Sequence, residues 1–188
     1  MKVVSSLLVT ALTAAVCLLP AGCSPEADPR YFGWRSYSDR DDGYRALVPP
    51  EWEATGELMP GMRGTRFSPV YDHDTPLAGL VYFAVYVRDL EEEVELDESE
   101  HEAAARGLAE GIWLDLEIEE EELTLDGTPA RRYRLEGACS WSGVELRGFA
   151  VVLHHLGKQY VLFASATEET YPRLADTFEM ILASVRLP

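Results

Sequence analysis

The chain has 188 residues and a formal net charge of −17, from 16 Lys and Arg against 33 Asp and Glu. That balance excludes nucleic acid as a partner, since phosphate needs a basic face, and it leaves no Lys/Arg cluster to hold the chain to anionic lipid by charge. An apolar content of 47% with 10% aromatics is that of a folded chain, and the length predicts one domain whose core closes without disulfides.

Residues 1–23, MKVVSSLLVTALTAAVCLLPAGC, carry one early charge at Lys2, an apolar run over 7–19, and then small residues ending at Cys23. The run is shorter than the roughly 20 residues that cross a bilayer, so it reads as the h-region of a signal peptide. Leu19-Pro20-Ala21-Gly22-Cys23 resembles a bacterial lipobox, with Pro20 where Leu is usual and Leu19 one residue earlier. The resemblance implies a lipoprotein signal peptide over 1–22, lipid attachment at Cys23, a lipidated tether over 23–30 and one globular domain over 31–188. Several acyl chains on one Cys anchor firmly where a single chain would not. The expected location is the bacterial cell envelope, facing periplasm or exterior. Ser24 following the Cys slightly favours the outer membrane if the cell is Gram-negative. With Cys17 in the signal and Cys23 acylated, Cys139 stands alone; Gly137-Ala138-Cys139-Ser140-Trp141 offers it no neighbouring base, so it reads as an inert thiol.

Beyond the tether, residues 31–38 and 44–48 flank the turn cluster Asp39-Arg40-Asp41-Asp42-Gly43 and predict a hairpin. A calcium loop starting at Asp39 fails, because Tyr44 and Pro50 stand where Gly and Glu are needed. Residues 77–90 predict a long strand with Val81, Phe83, Val85 and Val87 on one face and Leu80, Tyr82, Ala84 and Tyr86 on the other. Residues 144–155 and 159–166 behave alike, joined by a turn at Leu156-Gly157-Lys158. Strands with two apolar faces need cover on both. Two helical patterns can supply it. The first starts near Ser99, with Glu102 as its capping-box partner, and repeats Ala105, Leu108, Ala109 and Ile112. The second starts near Thr167, with Glu168 and Glu169 in its first turn, and repeats Tyr171, Leu174, Phe178, Ile181 and Leu182. The expected fold is α+β, a mainly antiparallel sheet with helices packed on both faces.

Residues 89–122 hold 16 acids and one base, Arg106. With Asp126-Gly127 as a two-residue turn, Glu122 faces Arg131, Glu121 faces Arg132 and Glu119 faces Arg134 on a protruding hairpin, with Pro129 near the start of an edge strand. Cross-strand charge pairing therefore accounts for these acids better than a calcium patch or a docking face does. Asp72-His73-Asp74 lies in a loop with no other His near it in sequence. His154 and His155 point to opposite faces of one strand, and His101 has no partner one helical turn on. No catalytic, metal or cofactor site is expected. There is no Gly-x-Ser-x-Gly, phosphate loop or dinucleotide turn, and an enzyme reading has no residues to rest on.

Four segments in order carry a family likeness: Tyr44-Arg45-Ala46-Leu47-Val48-Pro49-Pro50-Glu51-Trp52; Gly127-Thr128-Pro129-Ala130-Arg131-Arg132-Tyr133; Gly157-Lys158-Gln159-Tyr160-Val161-Leu162-Phe163-Ala164-Ser165-Ala166; and Ile181-Leu182-Ala183-Ser184-Val185-Arg186-Leu187. Together they resemble a PsbP-like domain, of the kind found in bacterial DcrB-like lipoproteins, photosystem accessory proteins and a Ran-binding import factor. The resemblance implies an α/β/α sandwich over 31–188 that binds an envelope protein without catalysis. The competing expectation is a carrier of a small apolar ligand or lipid, with Trp34, Trp52, Trp113 and Trp141 lining a pocket beside the sheet.

Overall fold

The computed structural model describes residues 28–59, 62–70, 78–90 and 98–188. Strands β1 (Arg35–Ser38) and β2 (Arg45–Val48) form the expected first hairpin, a small two-stranded sheet of its own. Its turn is built by Asp39, whose Oδ1 accepts the backbone N–H groups of Asp41 and Asp42, and by Gly43 at φ +81°. The main sheet contains β3 (Trp52–Met59), β4 (Met62–Pro69), β5 (Tyr82–Asp89), β6 (Trp113–Leu125), β7 (Thr128–Cys139), β8 (Glu145–His155) and β9 (Lys158–Thr167). Their order is β3-β4-β5-β9-β8-β7-β6, with every pairing antiparallel. Helix α1 (Glu98–Ala109) precedes β6, and α2 (Tyr171–Ser184) follows β9.

Strand β9 lies in the middle of the sheet and is buried along nearly its whole length. The alternation read from the sequence divides the core in two. Val81, Phe83, Val85 and Val87 join Phe149, Val151, Leu162 and Ala164 in one cluster, to which α2 adds Phe178, Ile181 and Leu182. Tyr82, Ala84 and Tyr86 join Ala150, Val152, Val161 and Phe163 in the other, to which α1 adds Ala105, Leu108 and Ala109. Close strand approach also fixes two glycines. A Cβ on Gly64 would strike the Val85 carbonyl, and one on Gly148 would strike that of Ala164.

Several boundaries and environments differ from the sequence reading. Residues 78–80 form a 3-10 turn, and β5 starts at Tyr82. Within the described residues α1 spans Glu98–Ala109, so Ser99 is already helical; Glu102 pairs with Arg106 one turn on, at 2.7 Å. Helix α2 begins at Tyr171, leaving Glu168 and Glu169 outside it. The ladder between β8 and β9 runs to Leu146↔Thr167, and Pro172 then fits in the first helical turn, where its missing N–H is harmless. The β6–β7 hairpin does not protrude. β7 pairs with β8 along its other edge, so the edge strand is β6, and Pro129 sits just before the first β7–β8 pair at Ala130↔Leu153.

Both two-residue turns place their residues at positive φ, with Asp126 and Gly127 at +48° and +81° and Leu156 and Gly157 at +48° and +72°. That is the turn whose twist matches a hairpin. Asp tolerates it; an exposed Leu does not. Leu156→Asn should therefore stabilise the domain by up to about 1 kcal/mol, a rise of about 2–4 °C in melting temperature. An unchanged or lower value would mean that Leu156 is held by contacts outweighing its backbone strain.

Phe178 is fully buried, with Trp52, Phe149 and Tyr171 ringing it at centroid distances of 5.9–6.4 Å. Phe178→Ala should cost about 3–5 kcal/mol, against about 0.5 kcal/mol or less for Asp176→Ala on the exposed side of α2. Equal melting temperatures for the two variants would show α2 detached from the core.

Candidate functional site

Cys23 and the Asp72-His73-Asp74 loop lie outside the described residues. Cys139 is a buried free thiol in the α1-side cluster, among Trp113, Tyr133 and Leu135. The turn cluster at 39–43, set aside above as a calcium loop, has another occupation. The buried Asp42 carboxylate contacts the Arg63 guanidinium at 2.6 Å and the Lys158 ammonium at 3.1 Å. Arg63 also donates two hydrogen bonds to Asp89, at 2.8 and 3.0 Å, which hold that carboxyl below its usual pKa. Tyr160 donates to the Asp42 carbonyl at 2.9 Å, and burial pushes its hydroxyl up to about 12. A carboxylate already facing two cations has no reason to take a third. This cluster fastens the small hairpin to β4, β5 and β9.

The register expected for the acidic hairpin is the observed one: Glu122↔Arg131, Glu121↔Arg132 and Glu119↔Arg134. Contacts within it run diagonally as well as straight across. Arg134 lies 2.8 Å from Glu121 but 3.9 Å from Glu119, and Arg131 reaches Glu120 as well as Glu122. Arg132 also leaves the hairpin. Its guanidinium lies 4.1 Å from the centre of the Phe149 ring and pairs with Glu179 of α2 as well as Glu121. Sequence spacing could not show this link, because Glu179 reads as a plain solvent-facing helix position.

The four Trp residues do not share a pocket. Trp34 packs edge-on against Tyr31, Trp52 is buried under α2, Trp113 is buried against Phe163, and Trp141 is 66% exposed. Trp141 lies on the β7–β8 turn, closed by a hydrogen bond from Gly143 N–H to the Cys139 carbonyl. Leu114, opposite Ala138, is 52% exposed at the same end of the sheet. At the bulge between Leu114 and Glu117 is a cleft of about 280 Å³ lined by Asp115, Glu117, Glu136 and Glu145. Arg147 reaches Glu136 at 3.0 Å. This end of the sheet thus presents exposed apolar side chains and carboxylates.

Two histidines treated as unrelated in the sequence meet in the fold. His101 Nε2 of α1 lies 3.5 Å from His154 Nδ1 of β8, with ring centroids 4.7 Å apart. Burial, then the neighbouring His101 and Arg88, lowers the His154 pKa to about 4. His155 faces the other way, as expected, and its Nε2 lies 3.0 Å from the Pro188 carbonyl. His101 lines a second cleft of about 400 Å³, with Glu122, Thr124, Arg131 and neighbouring apolar side chains.

The seven-stranded antiparallel sheet with its two helices is an α+β fold of the PsbP/Mog1 kind. Cyanobacterial PsbP (CyanoP) from Synechocystis sp. PCC 6803 superposes with a TM-score of 0.64 at 17% identity, over 90% of this chain and 96% of that one. The Ran-binding protein Mog1p of Saccharomyces cerevisiae superposes with a TM-score of 0.52 at 12% identity, over 82% of this chain and 95% of that one. No family model matches the chain, and no curated protein matches it by sequence.

The two hairpin arginines provide a direct test of which charges matter. The Arg132 side chain is 14% exposed and the Arg134 side chain 59%. Arg134→Ala should stay within about 0.5 kcal/mol, as exposed pairs do, whereas Arg132→Ala should cost about 1–2 kcal/mol through its lost stacking on Phe149. Similar small losses by chemical denaturation would show the Arg132 link to be incidental.

Proposed function

We propose that this chain is a membrane-anchored, extracytoplasmic lipoprotein, held by acyl chains on Cys23, that serves as a non-catalytic protein-binding or accessory module of the bacterial cell envelope. On this reading residues 1–22 are removed, 23–30 form the tether, and 31–188 are an α/β/α sandwich with a helix on each face of the sheet. The observation that carries the protein-binding part is the exposure of Trp141 and Leu114 at the end of the sheet that also carries the four carboxylates of the 280 Å³ cleft. A large aromatic held on a tight turn at a sheet end is the kind of side chain around which interface energy concentrates. The acids at that end favour a partner with a basic face. Support of a weaker kind comes from Mog1p, a protein of similar fold that is Ran-binding. The carrier reading has less support among the described residues, where the Trp residues meant to line its pocket are dispersed and three clefts of about 280–400 Å³ carry charged side chains in their walls.

Photo-crosslinking in native membranes tests the proposal. A crosslinking residue at position 141 should capture one envelope protein, and the same residue at exposed Arg173 on α2 should not. Cys23→Ser should abolish labelling by palmitate and move the chain from the membrane fraction to the soluble one. Equal capture at both positions, or none at either, would overturn the docking surface. Palmitate on wild type and Cys23→Ser alike would overturn the anchor.

A further inference from the structure

We propose that Phe32 is a second membrane contact, seated at the boundary of headgroups and acyl chains beside the lipid anchor, and that it sets how the domain faces the bilayer; the inference rests on the reading of Cys23 as acylated. Phe32 stands on a turn that the fold holds in place. After the 3-10 turn Pro29–Tyr31, Phe32 at φ −57° and ψ 122° is followed by Gly33 at φ +84°, and the Trp34 N–H donates to the Tyr31 carbonyl at 2.9 Å. These are the angles and the bond of a type II turn, with Phe32 and Gly33 as its two central residues.

The residues flanking the tip are tied down. Tyr31 is buried and donates its hydroxyl to the Met180 carbonyl of α2 at 2.9 Å, Trp34 packs edge-on against Tyr31, and the Asp28 carboxylate accepts the Arg30 N–H at 3.0 Å. Phe32 points outward and is 94% exposed, the most of any large apolar side chain among the described residues. A lone exposed apolar residue needs no explanation in itself. What singles out Phe32 is its place in the chain.

Nine residues separate it from Cys23, at most about 30 Å of fully extended chain. The anchor therefore keeps Phe32 close to one surface, the bilayer, and makes its insertion an intramolecular step at high effective concentration. One ring offers too little area for a stable protein interface, which takes about 800 Å² a side. It suffices beside an anchor that already supplies the binding, at the depth where the apolar side chains of surface-bound proteins settle. The net charge of −17 gives no pull toward anionic headgroups, so the contact is apolar. Because Tyr31 is bonded to α2, seating Phe32 also decides which side of the domain lies toward the membrane.

The test uses the chain purified from its own membranes and reconstituted into phosphatidylcholine vesicles, with a photo-reactive residue at position 32 or, for comparison, at position 141. Illumination should raise the protein mass by one phosphatidylcholine for position 32 and leave it unchanged for position 141. Phe32→Ser should keep the wild-type melting temperature; a lower one would assign the ring to the fold and overturn the contact. A chain that floats with the vesicles yet gains no lipid at position 32, or gains it equally at both positions, would overturn the contact and leave the anchor standing. So would capture of a protein at position 32 in native membranes with no lipid adduct. A chain with no acyl mass on Cys23, left behind when the vesicles float, would instead show the anchor reading to be wrong, and the contact would fall with it.

Discussion

The burial of β9 on both faces is the constraint from which the rest of the architecture follows. A strand with apolar side chains in both alternating sets, placed at the centre of a sheet, leaves apolar surface on each side that water would otherwise meet. The chain answers with two separate clusters, each drawing on one helix, and each helix takes its stability from the cluster its apolar residues join. Phe149 and Phe178 meet on one side, Trp113 and Phe163 on the other. Among the described residues the one cysteine, Cys139, is a free buried thiol, so both clusters close there by packing alone.

What could be read in advance follows from the range of each interaction. Alternation along β5 assigned its residues to the two faces correctly, because side-chain period is local to a strand. The Asp126-Gly127 turn fixed the β6–β7 register for the same reason. Strand order was not legible. Nothing near β9 in sequence says that it inserts between β5 and β8, and without that insertion β7 reads as part of a free hairpin rather than an interior strand. The second helix start slipped because its local signal, the paired acids at Glu168 and Glu169, was outweighed by the β8–β9 ladder running to Thr167.

The polar contacts show the same limit more sharply. Asp42 with Arg63 and Lys158, His101 with His154, and Arg132 with Glu179 all join residues far apart in the chain, and each depends on which strands neighbour one another. Composition located the acids but could not say which were neutralised. Those of the hairpin face arginines across the ladder, while among the described residues Asp115, Glu117 and Glu145 share a cleft with Glu136, which pairs with Arg147. A uniform acidic run in sequence thus separates in space into a balanced surface and an unbalanced one.

Among the described residues strand β6 lies at one end of the main sheet, with no strand paired along its outer side. Such an edge invites another copy to add itself, the first step toward open-ended polymerisation. Glu117, Glu119, Glu120, Glu121 and Glu122 occupy much of that edge, and two copies approaching side by side would bring carboxylate against carboxylate. The Asp115 bulge adds a kink that a straight incoming strand would have to follow. The glutamates that stitch the hairpin internally therefore also keep copies of the chain from joining edge to edge, and neutralising them would favour self-association even where the fold survived.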